Sequence, residues 1–184
     1  MPSKTGIWNQ EEADANHIFS YRIAQWLGVF FEKNKNLFDF GCGKGAYCKY
    51  FEDIGFRNTL GIDGEIYNNI ENKAFAKADL SLPFDLNIKG NVLCLEVGEH
   101  IPEESLDVFI DNLTTHCSGW LILSWAVPGQ DGIGHVSCRA NQWVIDQMNS
   151  RGFIYAPIET NEIRKVPEGF VNYFKETLLV FKKN

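Results

Sequence analysis

Several features are missing from this chain, and each absence narrows the field. No apolar run in the 184 residues reaches the roughly 20 that a bilayer-spanning helix needs. The opening Met1-Pro2-Ser3-Lys4-Thr5 is not followed by the apolar core of a signal peptide. Basic residues are few: 17 Lys and Arg stand against 24 Asp and Glu, a formal net charge of −7. Broad binding to phosphate backbones needs clustered cations, so a general nucleic-acid binder is disfavoured, although a local basic groove is still compatible with a nucleic-acid substrate. The five cysteines (Cys42, Cys48, Cys94, Cys117 and Cys138) contain no Cys-x-x-Cys pair. That argues against structural zinc and for reduced thiols in a cytoplasmic setting. Repeats and low-complexity tracts are absent too. So are the Gly-x-Gly-x-x-Gly of dinucleotide folds and the Gly-x-x-x-x-Gly-Lys-Ser/Thr of phosphate-binding loops.

What the chain does contain is a regular alternation. Hydrophobic residues make up 45% and charged residues 22%, an ordinary globular composition. The length suits one domain, 1–184, with a sizeable core. Strand-like and helix-like segments follow one another, which predicts an α/β fold with a mostly parallel sheet. A leading helix is expected over 10–33, where Ile18, Arg22, Trp26, Val29 and Phe30 sit near helical spacing. Strands are expected at 36–40, 59–62, 74–78, 91–97, 119–125, 153–158 and 173–182, and helices at 46–54, 65–70, 103–117 and 141–151. The continuously apolar fourth strand suits a central position covered on both faces. Gly55 and Gly152 read as helix stops. Residues 127–136 read as a polar, glycine-rich loop, and 159–171, with Pro167 and Gly169, as a loop or hairpin connection.

The most informative stretch is Leu37-Phe38-Asp39-Phe40-Gly41-Cys42-Gly43-Lys44-Gly45. A buried-strand pattern ends in three alternating glycines, and a helical pattern begins at Ala46. Glycines allow a tight turn through positive φ and a close approach to a ligand. A strand feeding such a turn and then a helix presents backbone N–H groups to a nucleotide-like group. Lys44 within the turn is expected to point to solvent.

Ligands of open α/β sheets bind beyond the carboxyl ends of the strands. Acidic residues occur at four successive ends: Asp39, Asp63, Asp79 and Glu96. A ligand with a ribose diol, an adenine amine and a cationic amino-acid moiety offers each of them a partner, whereas a diphosphate would be repelled. Taken singly, Asp63 before a glycine also reads as a turn signal, and Asp79 before Leu-Ser-Leu-Pro as a turn or helix cap.

With these residues in order, the chain from Leu37 to Phe181 resembles the class I S-adenosylmethionine (SAM)-dependent methyltransferases. The glycine motif is similar to Asp39 through Gly45, with Gly41, Gly43 and Gly45 forming the turn. The ribose acid resembles Asp63 in Leu-Gly-Ile-Asp-Gly, and the adenine-contacting acid resembles Asp79 in Lys-Ala-Asp-Leu, with the Leu80 amide beside it. The fourth-strand motif resembles Cys94-Leu95-Glu96-Val97-Gly98-Glu99-His100-Ile101-Pro102. The resemblance implies a three-layer α/β/α Rossmann-like domain with a seven-stranded sheet. Its last strand would run antiparallel, inserted between the fifth and sixth. Residues 1–35 would form an N-terminal helix or lid, and 36–184 the core. It also implies SAM as cofactor, held by Asp39, the three glycines, Asp63, Asp79, Leu80 and Glu96.

For the acceptor side the four histidines, His17, His100, His116 and His135, are the candidates. If the nucleophile is a hydroxyl, a base must take its proton. His135, in the loop after the fifth strand, reads either as that base or as a surface-loop histidine. His100 in Glu96-x-x-Glu99-His100 lies one turn beyond the fourth strand. Some methyltransferases with a similar segment use a divalent ion at such a site, and Glu96, Glu99, His100 and His135 could form one here; many others carry it without metal, and no metal is the reading carried forward. His116 suits a helix C-terminal end, and His17 solvent. Trp125 and Ser124 are placed beside the pocket, and Trp8, Trp143, Tyr155 and Tyr173 are candidates to line it, with core packing the preferred reading for Trp26, Trp120 and Trp143. The expected reaction is O-methylation of a small hydroxyl-bearing acceptor such as a sugar, with His135, His100 and Glu96 as catalytic candidates. N-methylation of protein or nucleic acid and a non-catalytic module are the alternatives. The fourth strand's Leu-Glu-Val-Gly, where amino-group methylation usually shows Asn/Asp-Pro-Pro-Tyr/Phe, lowers the standing of a base amine.

Overall fold

The computed structural model describes residues 6–184; the reading of Met1 through Thr5 lies outside the described residues. Two short helices, α1 (Gln10–Asn16) and α2 (Tyr21–Phe30), lead into β1 (Leu37–Phe40) and α3 (Ala46–Asp53). Then come β2 (Thr59–Asp63), β3 (Phe75–Lys77), β4 (Gly90–Cys94), α4 (Leu106–His116) and β5 (Cys117–Ser124). The chain ends with α5 (Asn141–Ser150), β6 (Phe153–Tyr155), α6 (Pro157–Ile163), α7 (Phe174–Thr177) and β7 (Leu178–Lys183). The seven strands form one sheet in the order β3-β2-β1-β4-β5-β7-β6. The first five strands in sequence pair in parallel, and β7 runs antiparallel to both β5 and β6. This is the Rossmann-like sheet that the resemblance implies, with β7 inserted between β5 and β6.

Two-residue alternation divides the sheet between two apolar layers. Leu121, Leu123, Leu179 and Phe181 pack into one, with Phe38, Phe40, Phe109 and Leu113. Ile122, Leu178 and Val180 pack into the other, with Ile23, Leu27 and Phe51. Because β1 and β4 are buried on both faces, they admit little polar surface, and every residue of each is buried. Fully burying a side chain such as Phe38 or Leu93 contributes about 1.5–3 kcal/mol. The chain runs from β1 outward through β2 to β3, then crosses back to place β4 on β1's other side. That reversal opens a crevice beyond the carboxyl ends of β1 and β4.

Several element boundaries differ from expectation for identifiable reasons. The single leading helix is two. Asn9 caps α1 in a reciprocal capping box with Glu12, and Ser20 caps α2 by accepting from the Ile23 N–H. The inward stripe of α2 is Ile23, Ala24 and Leu27, whereas Val29 is 89% exposed and Ile18 lies outside the helix. The expected lid therefore divides: α2 belongs to the core, and only the chain before it borders the crevice. No helix forms over 65–70, because Asp63 takes the Glu65 N–H and the Tyr67 hydroxyl and holds the segment as a turn. The fourth strand stops at Cys94 rather than residue 97, since Glu96 adopts a left-handed φ of 52°. Residues 157–163 of the expected connection are α6, opened by Pro157 at its first turn, where a missing N–H costs nothing. The last strand begins at Leu178, with α7 ahead of it.

Trp125, expected beside the pocket, is instead buried under it. Its ring fills the space above Gly98, and its Nε1–H donates to the Ser137 carbonyl at 2.7 Å, pinning the loop after β5. Trp125→Phe keeps most of the ring but orphans that carbonyl. Urea denaturation should show a loss of about 1–3 kcal/mol, and limited proteolysis should cut the 127–140 loop faster than in the unaltered protein.

Candidate functional site

Beyond β1 the chain turns through Gly41, Gly43 and Gly45, with φ of 76°, 56° and 82°. A Cβ on Gly43 would stand 2.1 Å from the His17 ring, and one on Gly41 2.3 Å from a Val97 methyl. Both conformation and space therefore demand glycine. Asp63, the last residue of β2, fastens this turn. Its Oδ2 accepts from the Gly43 N–H at 2.8 Å, and its Oδ1 from the Glu65 N–H at 3.2 Å and the Tyr67 hydroxyl at 3.3 Å.

These groups form one side of a cavity of about 460 Å³, within the usual range for small-molecule sites. Asp39, Gly41, Asp63, Leu80 and Glu96 line it; Gly43 and Gly45 shape the turn from behind. Asp79 is not in the wall. Its Oδ1 accepts from the Ser81 N–H at 2.9 Å and the Ser81 hydroxyl at 2.6 Å, so the carboxylate caps the turn that presents the buried Leu80. Of the aromatic candidates, Trp8 and Tyr173 line the cavity, whereas Trp125, Ser124, Trp143 and Tyr155 do not. Lys44 does not extend freely into solvent; its Nζ pairs with Asp14 of α1 at 2.8 Å. His17 stacks on Trp8 with ring centroids 5.5 Å apart and lines the cavity. His116 ends α4, donating from Nδ1 to the Asn112 carbonyl at 2.7 Å and accepting the Leu86 N–H at Nε2.

The cavity's floor carries two buried acids, Asp39 and Asp63. Asp39 is 4% exposed, and burial, followed by the charge of Asp63, raises its pKa to about 7. Burial also raises Asp63 despite its three donors. Two carboxylates this poorly solvated favour a cationic ligand.

On the opposite side, residues 95–100 leave β4 and turn beneath the loop that follows β5. The Glu96 N–H donates to Ser124 Oγ at 2.8 Å, and the Gln130 side-chain amide donates to Glu96 Oε2 at 2.8 Å. Glu99 is fully buried, and neither carboxylate oxygen has a hydrogen-bond partner. Its main-chain carbonyl accepts from the Val136 and Ser137 N–H groups at 2.8 and 2.9 Å, which brings the loop down onto it. His135 Nε2 lies 3.9 Å from Glu99 Oε1, and the His100 and His135 rings meet edge to face at 5.1 Å. Burial raises the pKa of Glu96; burial and then the charge of Glu96 raise that of Glu99 well above its ordinary value. Burial, then His135, lowers His100 to about 4, so its imidazole is neutral. The structure thus brings Glu96, His100 and His135 together at the cavity wall, with Glu99 behind them. Tyr67 and Gln130 were not singled out from the sequence. Each acts through a contact that only the fold creates, and neither sits in a motif that marks it.

Geometry and comparison agree on the class. The Methyltransferase domain family model matches residues 15–144. Solved structures share the fold: a magnesium protoporphyrin IX methyltransferase from Synechocystis with bound S-adenosylhomocysteine has a TM-score of 0.63 at 19% identity, over 95% of this chain and 83% of that one. A TehB-like SAM-dependent methyltransferase from Corynebacterium glutamicum has a TM-score of 0.67 at 14% identity, over 95% and 92%. A sugar N-methyltransferase from Streptoalloteichus has 0.67 at 14%, over 89% and 87%. No curated protein matches the chain in sequence. The chain belongs to the class I SAM-dependent methyltransferases and is an enzyme of that class with SAM as cofactor.

Asp39 also sets a pH dependence. Folded Asp39 keeps its proton up to about 7, while an unfolded aspartate loses it near 3.8. Between those values the native state binds more protons, so this group's contribution to stability falls as pH rises. Asp39→Asn removes the titration. In the absence of SAM, its unfolding free energy should gain on the unaltered protein between pH 4 and 8, by up to about 4 kcal/mol, read from urea curves at each pH.

Proposed function

We propose that this enzyme transfers the SAM methyl group to a hydroxyl of a small molecule such as a sugar. The observation that carries the reading is the Glu96, His100 and His135 cluster on the cavity wall across from the glycine turn, backed by Glu99. Methyl transfer is an in-line displacement at a carbon already activated by the sulfonium, so the protein's tasks are alignment, exclusion of water and removal of the acceptor proton. Asp39 and the glycine turn would receive the amino-acid moiety, whose ammonium suits the buried carboxylates. Asp63 would take the ribose hydroxyls, and Leu80 would pack on the adenine. Asp79 is kept as an adenine contact only through the turn it caps. The titratable cluster is where an acceptor hydroxyl would lose its proton, with Trp8 and Tyr173 offering ring surface to a sugar.

The sugar N-methyltransferase from Streptoalloteichus and an amino pentose methyltransferase from Micromonospora echinaspora share the fold. They support a sugar-sized acceptor and favour, as the second reading, transfer to a sugar amine. No described helix is long and apolar enough to cross a membrane, and all five cysteines are free thiols, which supports the cytoplasmic placement. The acidic chain also supports a small-molecule partner over nucleic acid.

SAM or S-adenosylhomocysteine at about a hundred times its dissociation constant should stabilise the protein by roughly 3 kcal/mol, seen as a thermal shift. Asp63→Ala should abolish most of that shift. His135→Ala should preserve it while cutting turnover by about 10²–10⁴-fold. Mass spectrometry of hydroxyl-bearing and amino-bearing sugars incubated with enzyme and SAM should show methylated hydroxyl acceptors; transfer only to protein amines or base nitrogens would overturn the reading.

A further inference from the structure

We propose that the methyl acceptor is an uncharged amphiphile, whose apolar body stays at the cavity mouth against Ile18, Phe19 and Ile133 while its hydroxyl-bearing head reaches inward. The inference rests on the methyl-transfer reading and adds the part of the acceptor that does not react. Of the large hydrophobic side chains exposed among the described residues, only these three line the cavity. Their exposures are 42%, 37% and 57%. A side chain that lines a cavity and still meets solvent stands at its opening. Apolar surface left in water there favours a ligand that covers it.

The rim comes from two loops, and both are held in place. Ile18 and Phe19 lie between α1 and α2. The Phe19 ring packs on Tyr47 with centroids 4.9 Å apart, and the Ser20 N–H donates to the Tyr47 hydroxyl at 3.2 Å. Ile133 sits in the loop after β5. The Gln130 amide fastens that loop to Glu96 ahead of Ile133, and the Val136 and Ser137 N–H groups fasten it to the Glu99 carbonyl behind. The apolar contacts therefore stand ready before a ligand arrives, which spares it the cost of ordering them.

Charge decides what that apolar body can be attached to. Asp39, Asp63, Glu71, Glu96 and Asp131 line the cavity. Lys44 is the only Lys or Arg among the lining residues, and its Nζ is taken by Asp14 at 2.8 Å. Burial lowers His17 and His100 to about 4, so both rings are neutral at pH 7. A phosphate or carboxylate on the acceptor would meet these acids without a free guanidinium or ammonium in the wall to pair with. Nucleotide-linked and phosphorylated sugars are thereby disfavoured. A sugar carrying an uncharged apolar aglycone is favoured, with its ring beside Trp8 and Tyr173 and the aglycone at the rim.

The test is calorimetric titration of protein saturated with S-adenosylhomocysteine, so that no turnover is needed. The probes are a panel of hexoses and pentoses, each as the free sugar, its phenyl glycoside and its uridine diphosphate conjugate. At least one phenyl glycoside should bind about 10-fold or more tightly than its free sugar, and the diphosphate conjugates should bind no better than the free sugars. Phe19→Ala and Ile133→Ser, on separate loops, should each weaken the phenyl glycoside by about 3–10-fold; the S-adenosylhomocysteine thermal shift shows that each variant is folded. A panel in which no phenyl glycoside outbinds its free sugar, a diphosphate conjugate that binds best, or unchanged affinity in both variants overturns the inference. Mass spectrometry of the bound glycoside after incubation with SAM tests the methyl-transfer reading separately. Binding at the rim without hydroxyl methylation would sink that reading alone, and methylation without a phenyl preference would sink this inference alone.

Discussion

The hydrogen bond from the Gly43 N–H to Asp63 joins the ends of two neighbouring parallel strands, and the cofactor half of the site is built around it. It ties the turn after β1 to the end of β2 while the turn runs through three positive-φ glycines. The same carboxylate takes the Glu65 N–H and the Tyr67 hydroxyl, so one side chain shapes both loops that border the crevice. Beside it lies a second carboxylate, Asp39, whose proton affinity is raised by its own burial and then by the charge of Asp63. Two acids buried together in this way suit a ligand that brings a cation.

The acceptor side repeats the pattern with different parts. Glu99 lies beneath the loop after β5, and its main-chain carbonyl anchors that loop while its side chain stays unsatisfied. Trp125 supports the loop from below through Ser137. Trp125, expected beside the pocket, therefore acts as scaffold, and the proposed chemistry rests on the histidines and acids that the loop brings down. Buried polar groups without partners are rare in folded proteins because they cost free energy, and here Glu96 Oε1 and both Glu99 oxygens are such groups, at the cavity wall and just behind it.

Much of this was legible in the chain because it depends on local rules. The strand–glycine–helix passage at 37–46 specifies a turn whatever surrounds it, and the alternating apolar segments specify the sheet. The acids at successive strand ends were readable for the same reason, since parallel strands bring their carboxyl ends to one edge. Asp79 shows the limit: its position was readable, but the competing Ser81 donors claim its carboxylate. The leading helix divides because Asn9 and Ser20 each cap a separate helix, which the loose apolar periodicity over 10–33 does not reveal. The turn at 65–70 escaped because a long-range partner, Asp63, overrides helical propensity there.

The sequence by itself determined the fold class and the cofactor, because both rest on short motifs whose geometry is set within a few residues. The tertiary structure decided which side chains face the cavity. Glu99 and His135 are 36 positions apart, and only the descent of the loop after β5 brings them within 3.9 Å. Tyr67, Gln130 and Trp8 join the site by similar long-range packing. Burial, which raises the pKa of Asp39 and Glu99, likewise belongs to the folded chain, since it arises only when distant segments exclude water together.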